Sequence, residues 1–155
     1  MDKKRTELIV SAIRSGTVID HIPSDKTFQV INMLNLEDSE NQVYFGTNLY
    51  SDKYISKGII KISDTFFQEE EINKIALVAP TATLIEIEDY EITKKQKVNT
   101  PTKVKKIVKC FNPKCVTNIE DIQTEFKVIS DHKCNMKLSC HYCEKTMAKE
   151  NIEFI

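Results

Sequence analysis

The chain has 155 residues, enough for one ordinary domain or two small ones, and its 41 % hydrophobic and 29 % charged residues are typical of a globular protein. Its 22 basic and 23 acidic residues give a formal net charge of -1, which argues against a protein that mainly holds nucleic acid by its phosphates. The N-terminal residues lack the apolar core of a secretory signal, and no apolar run is long enough to span a membrane. We therefore expect a cytoplasmic protein without membrane contact, in which the five cysteines are thiols or metal ligands rather than disulfides.

The first two-thirds of the chain alternates between strand and helix patterns. Alternating or short apolar runs predict strands over residues 7–20 (with a break at 15–16), 42–49, 58–62, 82–88 and 90–93. The elements follow the order strand, helix, strand, strand, helix, strand, with one extra strand. This order predicts a ferredoxin-like βαββαβ domain of the α+β class, whose two helices cover one face of an antiparallel sheet.

Two helices lie between the predicted strands. Apolar residues recur at helical spacing over residues 25–36, and Ser24 is a candidate N-cap for this helix. Thr65 and Gln68 resemble a capping box at the start of a second helix over residues 66–79.

The composition changes about two-thirds of the way along the chain. The first part contains no cysteine, and all five cysteines lie between Cys110 and Cys143. The polar, lysine-rich segment 93–106 is typical of a join, so we divide the chain into domains at 1–100 and 101–155. Short strand patterns over residues 104–110, 122–130 and 136–140 predict that the second domain is small, all-β and similar to a zinc ribbon. It is too small to bury an adequate core without a further staple.

Four cysteines are paired at spacings typical of a metal site. Four residues separate Cys110 from Cys115, two separate Cys140 from Cys143, and 24 lie between the pairs. Two such turns can aim four thiolates at one point as a tetrahedron, which suits Zn²⁺. Because four protein ligands leave no position for water, we predict one structural zinc ion; disulfides, a redox CxxC pair and bound iron are the alternatives. Cys134 lies outside the pattern and is interpreted as an ordinary thiol.

Three lysines can lie on one surface of the predicted first domain. Lys57, Ile59 and Lys61 alternate along one strand and share one face. Lys95, beyond the last strand, can reach the same surface. Such lysines are tolerated either as a solvated face or around a polyphosphate, and the pattern alone leaves both interpretations open.

Asp20 and His21 end the first predicted strand. This pair can bind ribose hydroxyls or phosphate, act as an acid–base pair, or cap the turn locally. The sequence contains no Walker loop, GxGxxG or GxSxG motif and no recognisable nucleophile–base set, which points away from an enzyme.

Taken together, these motifs resemble a known family. Similar segments in the same order and spacing occur in the aspartate carbamoyltransferase regulatory chain, and they are GTVIDHIP at 16–23, IKI at 60–62, ALVAP at 76–80, AT at 82–83, DYE at 89–91, and the two cysteine pairs followed by Glu144 and Lys145. The similarity extends over about residues 7–147.

The resemblance implies a chain that does no chemistry itself. Chains of this family bind the effectors CTP and ATP at one site, dimerise through the N-terminal domain, and contact catalytic chains through the zinc domain, here with Asn112 and Glu144. They thereby regulate the step of pyrimidine biosynthesis that joins carbamoyl phosphate to aspartate.

The resemblance also assigns the nucleotide site, with Ile59 inside it on the lysine strand. It places Asp20 and Lys61 at the ribose and His21, Lys57 and Lys95 at the phosphates. The residues expected at the base are Val10, Ser11, Ala12, Ile13, Ile87, Tyr90 and Ile92. Ser11, Ile85 and Glu7 differ from many relatives, so the resemblance does not fix which nucleotide inhibits.

Two other functions compete with this hypothesis. A zinc-ribbon nucleic-acid binder would use the basic stretch of Lys103, Lys105, Lys106 and Lys109, although the near-neutral net charge counts against it. A small enzyme would use Asp20 and His21 and would turn over substrate alone.

Overall fold

The structure is a computed structural model that describes residues 12–52, 55–130 and 135–155. The chain separates into two compact units, Met1–Val98 and Asn99–Ile155. No helix among the described residues combines the length and apolar character needed to cross a membrane.

The first unit is an antiparallel sheet with two helices. Its strands are β1 (Gly16–Ile22), β2 (Val43–Leu49), β3 (Lys57–Ser63), β4 (Thr83–Glu88) and β5 (Glu91–Lys97), in the spatial order β2-β3-β1-β4-β5. The helices are α1 (Thr27–Met33) and α2 (Glu69–Val78). The connectivity is the predicted ferredoxin-like one with an extra edge strand, so the α+β prediction is confirmed for this unit.

Strand β3 shows how the sequence selects the buried face. Gly58, Ile60 and Ile62 are buried and alternate with half-buried residues. A Cβ atom on Gly58 would lie 1.9 Å from Oγ1 of Thr27 on α1, so the backbone of β3 passes directly beneath this helix. The face that carries Ile60 therefore packs against helix, and the alternate residues occupy the opposite face, called the open face below.

Both predicted helix starts are wrong. Ser24 caps no α-helix, because residues Ser24–Lys26 form a 3-10 turn before α1 and the Ser24 hydroxyl donates to Ser56 Oγ at 2.7 Å. The capping box of α2 joins Gln68 and Glu71 instead of Thr65 and Gln68. The three glutamates that follow Gln68 in the first turn favour this start, because acidic groups interact well with a helix N-terminus.

The helices are consequently shorter than predicted. The first pattern, 25–36, divides into the 3-10 turn, α1, and a second 3-10 turn at Leu36–Asp38 after a left-handed residue, Asn35. In the second helical pattern, 66–79, residues 66–68 precede α2 instead of belonging to it.

The strands near the join also differ from the prediction. Strand β5 continues to Lys97, because Lys95 and Lys97 pair with β4, so residues 94–97 of the predicted join belong to the sheet. The predicted strand over residues 104–110 is two short strands, interrupted at Lys106, which has a left-handed φ of 67°.

The second unit is small and strand-rich. Its strands are β6 (Lys103–Lys105), β7 (Val108–Lys109), β8 (Glu125–Ser130), β9 (Met136–Cys140), β10 (Thr146–Ala148) and β11 (Glu153–Phe154). Four of them form a sheet in the order β10-β9-β8-β6, and β11 pairs with β7. The sequence did not predict β10, β11, the 3-10 turn at Lys149–Asn151, or the one-turn helix α3 (Val116–Ile119) directly after Cys115. Apart from these two helical turns the unit is the small β domain expected, with buried Phe126, Leu138 and Val108.

Candidate nucleotide and metal sites

A row of residues crosses the open face of the first sheet. Lys61 on β3, Val18 on β1, Ile85 on β4 and Lys95 on β5 are successive Cα partners in the antiparallel register. Partners that face each other in such a sheet point to the same side. Neighbouring strands lie about 4.8 Å apart, so Lys61 and Lys95 stand about 14 Å apart with two aliphatic side chains between them.

Asp20 and His21 lie beside this row at the end of β1. Asp20 Oδ1 accepts from Lys57 Nζ at 2.9 Å and from the backbone N–H of His21 at 2.7 Å. His21 has a left-handed φ of 57°, and its Nδ1 lies 3.2 Å from Thr83 Oγ1. One carboxylate therefore caps the turn, as the sequence allowed, and also holds the ammonium group of Lys57.

The lysines on the open face are not equally solvated. Partial burial lowers the pKa of Lys61, and the charge of Asp20 partly opposes this shift. A partly desolvated ammonium group interacts with an anion more strongly than a fully hydrated one does. Lys57, Lys61 and Asp20 together leave one net positive charge beside the row.

A cavity of about 460 Å³ holds three of the predicted base contacts. Its lining includes Ala12, Ile13 and Tyr90, together with Tyr44 and Asp64. The position of Tyr90 follows from the turn between β4 and β5. Its φ of 66° and that of 49° at Asp89 are the paired left-handed values of a tight hairpin, and the Tyr90 N–H donates to Arg14 O at 2.8 Å. Val10 and Ser11 lie outside the described residues.

Three further predicted contacts, Ile59, Ile87 and Ile92, are not part of the lining of this cavity. Ile59 lies on the open face between the two lysines of β3. Ile87 pairs with Gly16 and with Ile92, at the end of the sheet where the hairpin turns. The structure thus places Ile59 beside the lysines, and Ile87 and Ile92 beside the hairpin that carries Tyr90.

A larger cavity of the first unit lies elsewhere. It has a volume of about 1020 Å³, and its described lining is mainly apolar and includes Phe28, Ile55 and Thr81, with only His21 from the predicted set. Its size does not make it the nucleotide site, because none of its described lining residues is a lysine or arginine, the cations that a polyphosphate requires.

The four paired cysteines converge in the second unit. Their sulfur atoms all lie within 4.8 Å of one another, and both the Cys110–Cys143 and the Cys115–Cys140 distances are 3.7 Å. All four are free thiols. A metal–sulfur bond of about 2.3 Å in a tetrahedron separates the sulfurs by about 3.8 Å, so the cluster fits a tetrahedral metal ion. Cys134 lies outside the described residues.

The surroundings give the sulfurs different acidities. Burial raises the pKa of Cys110 to about 12, against a partial opposing effect of a backbone N–H at Asn112. Burial also disfavours the Cys143 thiolate, but hydrogen bonds from the Lys145 backbone and the Asn112 side chain outweigh it and lower its pKa to about 7. At Cys115 the hydroxyl and backbone N–H of Thr117 likewise overcome burial and lower the pKa.

The two predicted interface residues occupy the cysteine turns. Asn112 is half-buried, and its Oδ1 accepts from Lys114 N at 3.1 Å. Glu144 is exposed, with a left-handed φ of 61°, and its N–H donates to Cys140 O at 3.0 Å.

Sequence reasoning missed four residues near these sites. Tyr44 and Asp64 line the base cavity, and no local signal marks them because strand register is not visible in sequence. Thr117 and Asn118 contact the first cysteine turn. A hydroxyl residue two positions after a cysteine was the available signal for Thr117.

Comparison with known proteins identifies the family of both units. Residues 8–99 match the family model described as aspartate carbamoyltransferase regulatory chain, allosteric domain, and residues 102–153 match that described as its metal binding domain. The chain is 49 % identical over 155 residues to the aspartate carbamoyltransferase regulatory chain of Bacteroides fragilis, which covers 100 % of both chains. It is 46 % identical over 152 residues to that of Porphyromonas gingivalis, covering 98 % of this chain and 99 % of the relative. It is 49 % identical over 148 residues to that of Pyrococcus horikoshii, covering 94 % and 96 %. The chain therefore belongs to the family of aspartate carbamoyltransferase regulatory chains.

Proposed function

We propose that this chain is the non-catalytic subunit through which CTP and ATP regulate an aspartate carbamoyltransferase in pyrimidine biosynthesis. The observation that carries the proposal is the open face, where one row holds Lys61 and Lys95 while Lys57 and Asp20 lie beside it. The base cavity with Ile13 and Tyr90 belongs to the same unit. This surface supplies cations for phosphates, a carboxylate for ribose, and backbone groups for the edge of a base.

The nucleotide would compete with an existing ion pair. Lys57 is bonded to Asp20, and a phosphate that attracts this ammonium group weakens its bond to the carboxylate. The carboxylate can then accept from ribose hydroxyls. Binding shifts the holoenzyme only by the difference in nucleotide affinity between its two states, typically about 1–3 kcal/mol.

Titration of the full-length chain with CTP and with ATP tests nucleotide binding by calorimetry. Lys95→Gln should weaken binding by about tenfold, because it removes one charged hydrogen-bond donor from the open face. Lys94→Gln is the matched control, since Lys94 pairs with Glu86 and points to the other side of the sheet. Absence of binding by both nucleotides at millimolar concentration would exclude the sensor role. Equal losses of nucleotide affinity in both variants would exclude the open face as the nucleotide site.

We propose further that the metal is zinc and that its domain joins this chain to the catalytic chain. The soft sulfur donors and tetrahedral spacing suit zinc. A cytoplasmic location, as proposed, keeps such thiols reduced. Asn112 and Glu144 lie in the two cysteine turns, so an interface that uses them depends on the metal for its shape.

Co-purification with an aspartate carbamoyltransferase catalytic chain tests this joint. We expect a stable complex that dissociates when the metal is chelated and reforms when zinc is restored. A complex that survives complete metal removal would exclude the second unit as the joint.

Self-association through the first unit is tested separately by analytical ultracentrifugation of the regulatory chain alone. A monomer at all concentrations would exclude the regulatory dimer. Salt-sensitive binding of DNA would instead favour the nucleic-acid hypothesis.

A further inference from the structure

Helix α3 directs two polar side chains at the first cysteine turn, residues 110–115. Thr117 Oγ1 lies 3.2 Å from Cys115 Sγ. The Asn118 side-chain amide donates through Nδ2 to Cys110 O at 2.9 Å and to Asn112 O at 2.8 Å. Neither residue can ligate the metal, because four sulfurs already complete a tetrahedron.

The Thr117 contact has a defined direction when a metal is bound. A ligating Cys115 is a thiolate without a hydrogen, so only the Thr117 hydroxyl can donate. Hydrogen bonds to a charged acceptor are about twice as strong as those between neutral groups. The contact therefore stabilises the ligating form of this cysteine and withdraws electron density from its sulfur.

The Asn118 contact shapes the backbone of the turn. Its two acceptors are the carbonyl of a ligand, Cys110, and that of Asn112, which also accepts from the Cys115 N–H at 3.0 Å. The side-chain amide thus binds the start and middle of the turn, and the Asn118 backbone N–H donates to Cys115 O at 2.9 Å, so this one residue contacts both ends. The second turn is closed by backbone bonds, among them Cys140 N to Lys145 O at 2.9 Å.

We propose that Thr117 and Asn118 are positioning residues that set how slowly the metal leaves its site. Asn118 holds Cys110 and Cys115 at ligating separation, and Thr117 stabilises the Cys115 thiolate. The inference depends on the metal-binding role proposed above. It adds that α3, outside the ligand set, controls the lifetime of the bound ion.

The test uses the full-length chain loaded with Zn²⁺ or Co²⁺. Release of zinc to a coloured chelator should be roughly tenfold faster or more in Thr117→Val and in Asn118→Ala, which is the usual size of effects on metal affinity from residues that support ligands. In the cobalt form, Thr117→Val should move the sulfur-to-metal charge-transfer band to longer wavelength, because the thiolate regains electron density. Thr117→Ser keeps the hydroxyl and should restore both the rate and the band.

Matched controls separate this role from general destabilisation. Thr146→Val and Asn151→Ala replace exposed residues of the same unit and should release zinc at the wild-type rate. Circular dichroism of each loaded variant reports whether it has folded.

Three results would overturn the proposal. The first is wild-type release rates in both Thr117→Val and Asn118→Ala. The second is fast release in Thr117→Ser as well as Thr117→Val, or an unmoved band, since packing rather than the hydroxyl would then be responsible. The third is a wild-type chain that binds no cobalt. Neither the wild type nor any variant would then show the sulfur-to-cobalt absorption band, and the proposed metal site itself would be excluded.

Discussion

Ile19, Ile60 and Ile75 are fully buried in the first unit, whereas the second unit gathers four cysteine sulfurs around one point. The first unit can be stabilised by apolar burial alone, because its sheet is covered by two helices. The second has short strands and few large buried side chains, so the metal must supply stability that its core does not. The comparison indicates that the two units should respond to different perturbations.

Removal of the metal should produce the largest effect. Structural zinc sites contribute an apparent free energy of roughly 10–16 kcal/mol, so chelation or Cys140→Ser should unfold the second unit and leave the first folded. Amide hydrogen exchange, read separately for residues 12–98 and 99–155, measures how well each unit stays folded. Ser139→Ala, one residue earlier on β9, is the control, and the amides of both units should stay protected in this variant. Loss of protection in both units together would show that they are not independently stabilised.

Truncation of the apolar core should give the next largest effect, confined to the first unit. Ile60→Ala should lower the free energy of unfolding by about 2–5 kcal/mol, because the side chain of Ile60 is 0 % exposed and its truncation leaves a cavity. Its neighbour Ile59, on the open face, is the control, and Ile59→Ala should cost less stability while weakening nucleotide binding. Denaturant unfolding and calorimetry measure the two properties. A reversed order of the stability losses would contradict the assignment of faces.

The close contact between β3 and α1 predicts a smaller loss of stability, which a second substitution should partly relieve. Gly58→Ala should destabilise the first unit by about 1–3 kcal/mol, because the new Cβ atom meets the Thr27 hydroxyl. Thr27→Ala removes that oxygen, so the double variant should lose less than the sum of the single variants. A double-mutant cycle in denaturant measures the coupling. Strict additivity would show that the helix does not press on this glycine.

The pKa values of the cysteines predict an order of reactivity rather than a large change in the free energy of unfolding. While the second unit is still folded and holds no metal, Cys143 has a pKa of about 7, below its ordinary 9.0, and Cys110 one of about 12. A lowered pKa contributes stability that is fully present above pH 9.0 and is lost as the pH falls through about 7. Alkylation started together with chelation near pH 8, and mapped by mass spectrometry before the second unit unfolds, should therefore modify Cys143 before Cys110, and bound metal should protect both. Equal rates at pH 8 would contradict the assigned hydrogen bonds.

The sequence by itself determined the elements whose signals are local. Apolar alternation located β3 and β4, and the spacing of Cys110, Cys115, Cys140 and Cys143 predicted a four-sulfur cluster. These predictions succeeded because a strand face and a cysteine turn each depend on residues a few positions apart. The helix starts were mispredicted where two candidate caps lay within one turn, at Thr65 and Gln68.

Only the tertiary structure decided which distant residues meet. Strand register placed Lys61 and Lys95 in one row, although 33 residues separate them, and it extended β5 to Lys97 by pairing with β4. The fold also paired Asp20 with Lys57 and brought Asn118 to the carbonyl of Cys110. Such contacts depend on how strands align and turns pack, and they are therefore set by the energy of the whole fold rather than by any local pattern.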